Sequence, residues 1–435
     1  MKKNSLTLFC LCAFALNFSL KIFAQEANLP ISKNQNSEDE ILLQFKFKEG
    51  DNFSLTSSVN EEVKINGRLS HKAQIVTRVT ESVEKIDENG RGYIKGNFMT
   101  SEQSTRAQFL GQNDTYRWGE NFESEFWRDS RGKFEIESKY FMPVIRDLPI
   151  FPQRPIKVGD EWSEDGYEVQ DLRRDLNVTE PFKVPFTAKY KYLRNEKGVT
   201  SDSSKTERVF QVISAKYSVY YETPQQNSNS LRGSDYPVTT MGYSNRTIWW
   251  DNEKGQIDRY EEDFRIVIET LFGTQYQFAG GTQAEYTEFE RTSTEENLKD
   301  VMQKVEDLGL KDISVTKTEQ GLTISLENIQ FRADSAILME SEKEKIKKIS
   351  QILSAYPNND LLISGHTARV GSEESCQILS EERAASVANF LVDLKVKEKT
   401  HVFTQGFGSK IPIASNLTER GKAKNRRVEI TILDK

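Results

Sequence analysis

Ile363-Ser364-Gly365-His366-Thr367-Ala368-Arg369-Val370-Gly371 runs on through Ser372-Glu373-Glu374-Ser375-Cys376-Gln377-Ile378-Leu379-Ser380-Glu381-Glu382-Arg383, and the reading of this chain turns on that stretch. Leu361, Leu362 and Ile363 predict a short apolar strand running into a Gly365-His366-Thr367 turn. A polar loop around Gly371 is expected next, then a helix from Ser380 to Val392 with Ala384, Val387, Ala388 and Leu391 facing inward. A loop between a strand end and a helix start is a common place to hold a small charged ligand.

The surrounding residues alternate between strand and helix patterns. Ile313–Thr316, Leu322–Ile329, His401–Gln405 and Val428–Leu433 read as strands. Ser341–Ala355 reads as a helix with Ile346, Ile349, Ile352 and Leu353 as its buried stripe and a Ser341/Glu344 capping box. Pro357 ends that helix. Helices spaced between strands on so short a segment predict an α+β sandwich over residues 313–435, with helices packed on a mixed sheet.

Several short motifs in this region occur in a telling order: Asn328-Ile329-Gln330-Phe331, Ile363-Ser364-Gly365-His366-Thr367, Leu379-Ser380-Glu381-Glu382-Arg383-Ala384, Gly406-Phe407-Gly408, Pro412, Asn416, and Asn425-Arg426-Arg427-Val428-Glu429. Together they resemble the OmpA-like peptidoglycan-binding domain at the C-terminus of OmpA-, Pal- and MotB-type proteins. The resemblance implies non-covalent binding of the peptidoglycan stem peptide. In that family an Asp after Gly-His-Thr and a later Arg grip the charged end of the diamino acid, the Asp pairing with the ammonium and the Arg fork with the carboxylate. Arg383 stands at the Arg position, but the Asp position is Ala368, and a further family Asn is Cys376. The expected ligand contacts are Arg383, Thr367, Ala368, Arg369, Cys376, Asn425, Arg426 and Arg427, with Gly365 and His366 as structural turn residues. Loss of one charge-assisted hydrogen bond costs about 1.5–3 kcal/mol. The resemblance therefore implies altered diamino-acid recognition, or a fold that has lost wall binding.

Upstream, residues 41–290 read as a β-rich body, an antiparallel sheet or half-barrel, as one unit or two divided by a Pro-rich connector over 143–185. Leu43, Phe45 and Phe47 alternate with polar neighbours, the period of a half-buried strand. Asn66-Gly67 predicts a tight hairpin, and Asp251–Gly255 a second turn between Arg246–Trp250 and Ile257–Ile268. The prolines, Pro185 among them, predict edge or connector structure. Uneven strand spacing and charges on both faces argue against a membrane barrel. The aromatic residues of the body read as core, or as the lining of a groove for a lipid or other hydrophobic ligand. Residues 291–312 are expected to form a linker helix, with Ser293/Glu296 as its capping box and Leu298, Met302, Val305 and Leu308 as its apolar face.

Residues 1–24 have a positive start, an apolar run and Ala24 before Gln25, the pattern of a cleaved export signal. Residues 25–40 are polar and read as a flexible leader. Removing the signal takes Lys2, Lys3 and Lys21 with it and moves the formal net charge from −7 to −10. An acidic chain of this kind is expected to have no nucleic-acid partner. Cys10 and Cys12 leave with the signal, so Cys376 is left without a disulfide partner. His71, His366 and His401 are too scattered for a metal site, and no nucleophile–base order is present, so neither cofactor, metal nor enzymatic activity is expected. The expected setting is the periplasm of a diderm bacterium, against the cell wall or outer membrane, with envelope proteins as further partners.

Overall fold

The computed structural model describes residues 40–104, 116–172, 176, 178, 180–202, 204–224, 235–288, 291–318, 320–332 and 335–434. The export signal and almost all of the leader lie outside the described residues. Two compact units emerge: Met1–Phe98 with Asn121–Glu288, and Met99–Glu120 with Phe289–Lys435.

The strands are β1 (Asn52–Ile65), β2 (Arg68–Ile86), β3 (Gly92–Ser104), β4 (Tyr116–Arg128), β5 (Phe134–Ile136), β6 (Ile145–Arg146), β7 (Glu161–Gln170), β8 (Phe182–Val199), β9 (Glu207–Glu222), β10 (Pro237–Asp251), β11 (Gln256–Thr270) and β12 (Gln275–Glu288). The first unit is a long antiparallel sheet in the order β6-β7-β8-β9-β10-β11-β12-β1-β2. The β1–β2 turn is the expected one: Asn66 and Gly67 both take positive φ, 50° and 76°, which a two-residue hairpin of this twist needs. The predicted turn at Asp251–Gly255 is closed by Asp251, whose carboxylate accepts from the Glu253 and Lys254 amides.

Two expectations for the body need correction. Leu43 and Phe45 are buried, as the alternation requires, but they make no ladder. Their segment is held by single bonds, Phe45 N to Ser130 O and Lys46 N to Gly255 O, with one bridge at Ile41–Ile156. Period two encodes which side chains face the core, not whether a neighbouring strand is present to pair. Pro185 lies in β8, an interior strand and not an edge. It is tolerated because β8 pairs with β7 from Phe182 onward but with β9 only from Lys189, so Pro185 has a neighbour on one side.

Many of the body's aromatic residues lie in its core, while Tyr220, Tyr243 and Phe272 are exposed. Phe45 and Phe151 pack on the fully buried Trp250, with ring centroids 4.7 and 4.6 Å away. Beside them lies a buried polar network. Arg246 pairs with Glu262 at 2.9 Å and stacks on Tyr260. Ser244 and Thr282 donate to the same carboxylate. Tyr217 donates to Glu168 at 2.6 Å, and burial pushes the Glu168 carboxyl up and the Tyr217 phenol well up.

The second unit contains α1 (Glu295–Asp307), β13 (Ile313–Thr318), β14 (Gly321–Glu327), α2 (Glu340–Leu353), β15 (Leu361–Gly365), α3 (Glu373–Asp393), β16 (Val402–Gly406), α4 (Glu419–Asn425) and β17 (Arg427–Leu433). Its sheet runs β13-β14-β17-β15-β16, with the start of β4 beyond β16, and is antiparallel except for the β15–β16 and β16–β4 pairs. The predicted inner residues of α2 and α3 are buried against it, including Ile346, Ile349, Leu353, Ala384, Val387, Ala388 and Leu391. This is the α+β architecture expected from the sequence.

The helix starts differ from the expectations. For α1 the cap is Thr294, which accepts from Asn297 N, and not Ser293. Ser293 and Thr292 are instead taken up by Asp434, whose carboxylate binds both backbone amides and both hydroxyls. Val301 and Val305 form the buried face of α1, and Met302 is 52% exposed. For α2 the cap is Met339 and Ser341 lies inside the first turn. The Phe331–Leu338 bridge and the Met339 N to Gln330 O bond deliver the chain into the helix before Ser341 is reached. The largest difference concerns α3, which begins at Glu373, seven residues before the expected Ser380. Gly371 turns the chain at φ 85°, Ser372 accepts from Ser375 N, and Glu373 and Glu374 complement the helix N-terminus.

Candidate functional site

The site is built at the C-terminal ends of β15 and β16, where Gly365 and Gly406 lie opposite each other in register. Both must lack a side chain. A Cβ on Gly365 would stand 2.1 Å from Ser380 O, and one on Gly406 would stand 2.5 Å from Glu381 Cγ. The two glycines let the middle of α3 settle directly on the strand ends. Ser380 Oγ then accepts from Gly408 N at 2.9 Å, and Gln377 Nε2 donates to Gly406 O at 2.6 Å.

The loop leaving β15 is fixed mostly through its backbone. His366 N donates to Arg427 O, Thr367 N to Gly408 O, and Arg369 N to Asn416 Oδ1. The fully buried Asn425 sets this last contact. Its Oδ1 accepts from Ile413 N and Ala414 N, and its Nδ2 donates to Ala414 O and to Asn416 Oδ1. Arg427 is also buried, with Nε on Glu429 Oε1 at 2.7 Å and Nη1 on Ile411 O. The side chains of Asn425 and Arg427 are thus engaged within the protein, whereas Arg426 is half-exposed at the end of α4.

His366 stacks on Phe407 with centroids 5.1 Å apart, and its Nε2 lies 3.3 Å from Glu429 Oε2. Burial pulls the His366 pKa below its usual value, against the raising pull of Glu429. Burial opposes ionisation of Glu429, but His366 and Arg427 more than offset it and hold that carboxyl at about 2.

Ala368 and Cys376 are in contact. The early start of α3 puts Cys376 in its first turn, where Sγ donates to Val370 O at 3.2 Å and lies 3.7 Å from Ala368 O. Both residues are buried, at 4% and 3% exposure. Ala368 and Cys376 therefore pack together as one closed contact. By contrast, Thr367 Oγ1 and His366 Nδ1 are buried and have no hydrogen-bond partner among the described residues.

Arg383 is half-exposed on α3, seven residues and about two turns beyond Cys376, so the two share a face about 10 Å apart. Its guanidinium lies over Phe331, 4.8 Å from the ring centroid, and Nε donates to Ser335 O. Arg369 and Val370 are exposed at the loop tip. Gly406, Asn416, Phe331 and Glu429 stand in the motifs but not among the expected ligand contacts, and here they build the site's frame. The Gly365/Gly406 pair was the readable signal, since two glycines at strand ends mark close backbone approach. Among the described residues there is no cluster of metal-ligating groups, and no helix is long and apolar enough to cross a membrane.

The fold and this loop define a class: a mixed α/β sandwich with a polar strand-to-helix loop and a helix-borne arginine, in a chain that also has a long antiparallel β body. Residues 330–426 match the OmpA family and form an OmpA-family C-terminal domain. Probable lipoprotein YiaD of Escherichia coli (strain K12) is 36% identical over 121 residues, covering 28% of this chain and 55% of that protein. Peptidoglycan-binding protein ArfA of Mycobacterium tuberculosis (strain ATCC 25618 / H37Rv) is 42% identical over 104 residues, 24% of this chain and 32% of that protein. Among solved structures, an outer membrane protein from Borrelia burgdorferi B31 is 40% identical, covering 28% of this chain and 96% of that one, with a TM-score of 0.24. The chain spans about half the length of the first relative and about a third of the second. The family match does not extend to the β body.

Proposed function

We propose that this protein is a secreted, non-enzymatic component of a diderm cell envelope that holds peptidoglycan non-covalently, by the stem peptide, at the 366–376 loop and Arg383. The relatives are named as peptidoglycan-binding, outer-membrane and lipoprotein components, which supports the setting. The observation that carries the reading is the chemical asymmetry of the site. At one end Ala368 and Cys376 offer no charge. At the other, Arg383 presents a half-exposed guanidinium, and the Thr367 hydroxyl near the loop base is unspent. Such a site holds a carboxylate through Arg383 and has no grip on a diamino acid's ammonium, so recognition of the diamino acid is altered.

The test is co-sedimentation of the full chain with sacculi, and binding to muropeptides that differ only in the diamino acid. Arg383→Ala is expected to weaken binding about tenfold or more, the loss of one charge-assisted contact. Equal sedimentation of wild type and Arg383→Ala would remove the reading. The closed Ala368–Cys376 contact also favours a second reading, an OmpA-family fold that has lost wall binding while the β body carries a hydrophobic ligand. Absence of wild-type binding, together with lipid recovered by extraction of the purified protein, would establish that alternative.

A further inference from the structure

Strand β16 would be the bare edge of the C-terminal sheet, but a segment from far upstream covers it. Tyr116 and Arg117, grouped with this unit, pair in parallel with Phe403 and Thr404. Thr404 Oγ1 donates to Tyr116 O at 3.2 Å. The fully buried Phe403 meets Tyr116 and Trp118 edge-on, with ring centroids at 6.2 and 5.5 Å, and both partners are buried. Addition of a short strand to a sheet edge combines main-chain pairing with side-chain anchors in this way.

The contact continues toward the loop. Arg117 Nη2 pairs with Glu381 Oε2 at 2.7 Å. Gln377 Nε2 bonds both the other oxygen of Glu381 and Gly406 O. Gly408, two residues further on, receives Thr367 N on its carbonyl at 2.8 Å. The upstream strand thus grips β16 and α3 on either side of the Gly406–Gly408 turn that seats the 366–368 loop.

We propose that Tyr116, Arg117 and Trp118 are an integral strand of the C-terminal unit and act as positioning residues for its site, so that residues more than two hundred positions upstream set wall affinity. The claim about affinity rests on the wall-binding reading above; the claim about the turn does not. Both are tested in the full chain with Arg117→Glu, Trp118→Ala and the conservative Arg117→Lys, by sacculus co-sedimentation and by hydrogen exchange of peptides covering 366–372 and 402–408. Arg117→Glu and Trp118→Ala should bind two- to tenfold more weakly, the scale of one lost aromatic or ionic contact. Both should exchange faster over 402–408 with β8–β10 unchanged, and Arg117→Lys should retain binding. Unchanged exchange in both variants overturns the proposal, as does faster exchange with undiminished binding. If wild type itself fails to sediment, the wall-binding reading falls, and exchange at Gly406–Gly408 alone decides whether the strand holds the turn. Because Arg117 is about half-exposed, its variant keeps the test open should Trp118→Ala fail to fold.

Discussion

Replacing Ala368 by Asp places a carboxylate where the family resemblance implies one, and from sequence alone that change should strengthen diaminopimelate binding. The packing predicts otherwise. Ala368 is 4% exposed, and Cys376 spends its single S–H on the Val370 and Ala368 carbonyls. A carboxylate introduced there leaves water without a donor supplied by its neighbour. An unpaired buried charge typically costs about 3–5 kcal/mol, and relaxation of the exposed 369–372 loop and the first turn of α3 lowers this to about 2–3 kcal/mol. Ala368→Asp alone should therefore destabilise the C-terminal unit by that amount and gain less than threefold in affinity for a diaminopimelate muropeptide. Adding Cys376→Asn supplies an amide donor. One charge-assisted bond is worth about 1.5–3 kcal/mol, so the double variant should recover most of the stability and bind about tenfold or more tighter than wild type. Urea denaturation and muropeptide titration read both quantities. A single Ala368→Asp variant with unchanged stability and a tenfold gain would show that the loop is open and that the Ala368–Cys376 contact does not close the site.

Acid should weaken the C-terminal unit in two steps. The folded pKa of His366 lies below its unfolded value of 6.5, so its contribution is full above that pH and falls as the pH drops below it. Glu429, held at about 2 against 4.5, contributes up to about 3 kcal/mol above pH 4.5 that is lost as the pH falls toward 2. Urea titrations across pH should show both steps, and Glu429→Gln should abolish the lower one. Gly406→Ala drives a methyl into the α3 backbone at Glu381 N, 2.7 Å away, and should lower stability by several kcal/mol, well beyond the roughly 1 kcal/mol range of propensity effects. In the body, Glu262→Ala strands Arg246 in the core and should cost about 3–5 kcal/mol, whereas replacing both partners with apolar residues of similar volume should cost far less. A double-mutant cycle in thermal denaturation distinguishes the two cases.

Much of this protein could be read locally. The Asn66-Gly67 turn, the Asp251–Gly255 turn, and the buried stripes of α2 and α3 follow from φ requirements and from periods of two and 3.6 residues, and these depend on neighbours in sequence. The same local reading failed where two local options were close in energy and a group outside the periodic pattern chose between them. Ser293 and Thr294 are both competent caps, and Asp434, at the other end of the unit, took Ser293 for itself. Ser372 and Ser380 both precede plausible helix starts, and Gly371 with the two acids after Ser372 favoured the earlier one. That choice moved Cys376 from a loop into a helix and onto Ala368.

The order of motifs from Asn328 to Glu429, the Ala at 368 and the Arg at 383 are properties of the sequence by itself, because they are statements about which chemical groups exist and in what order. Tertiary structure alone decided that the two substitutions are one contact, that Asn425 and Arg427 are committed to scaffolding, and that Tyr116–Trp118 complete the C-terminal sheet. Apart from the Arg427–Glu429 bond, each of these depends on groups brought within a few ångströms across eight to nearly three hundred residues of chain. No local periodicity carries that information, since hydrogen-bond and packing energies fall off with distance in space and are indifferent to distance in sequence.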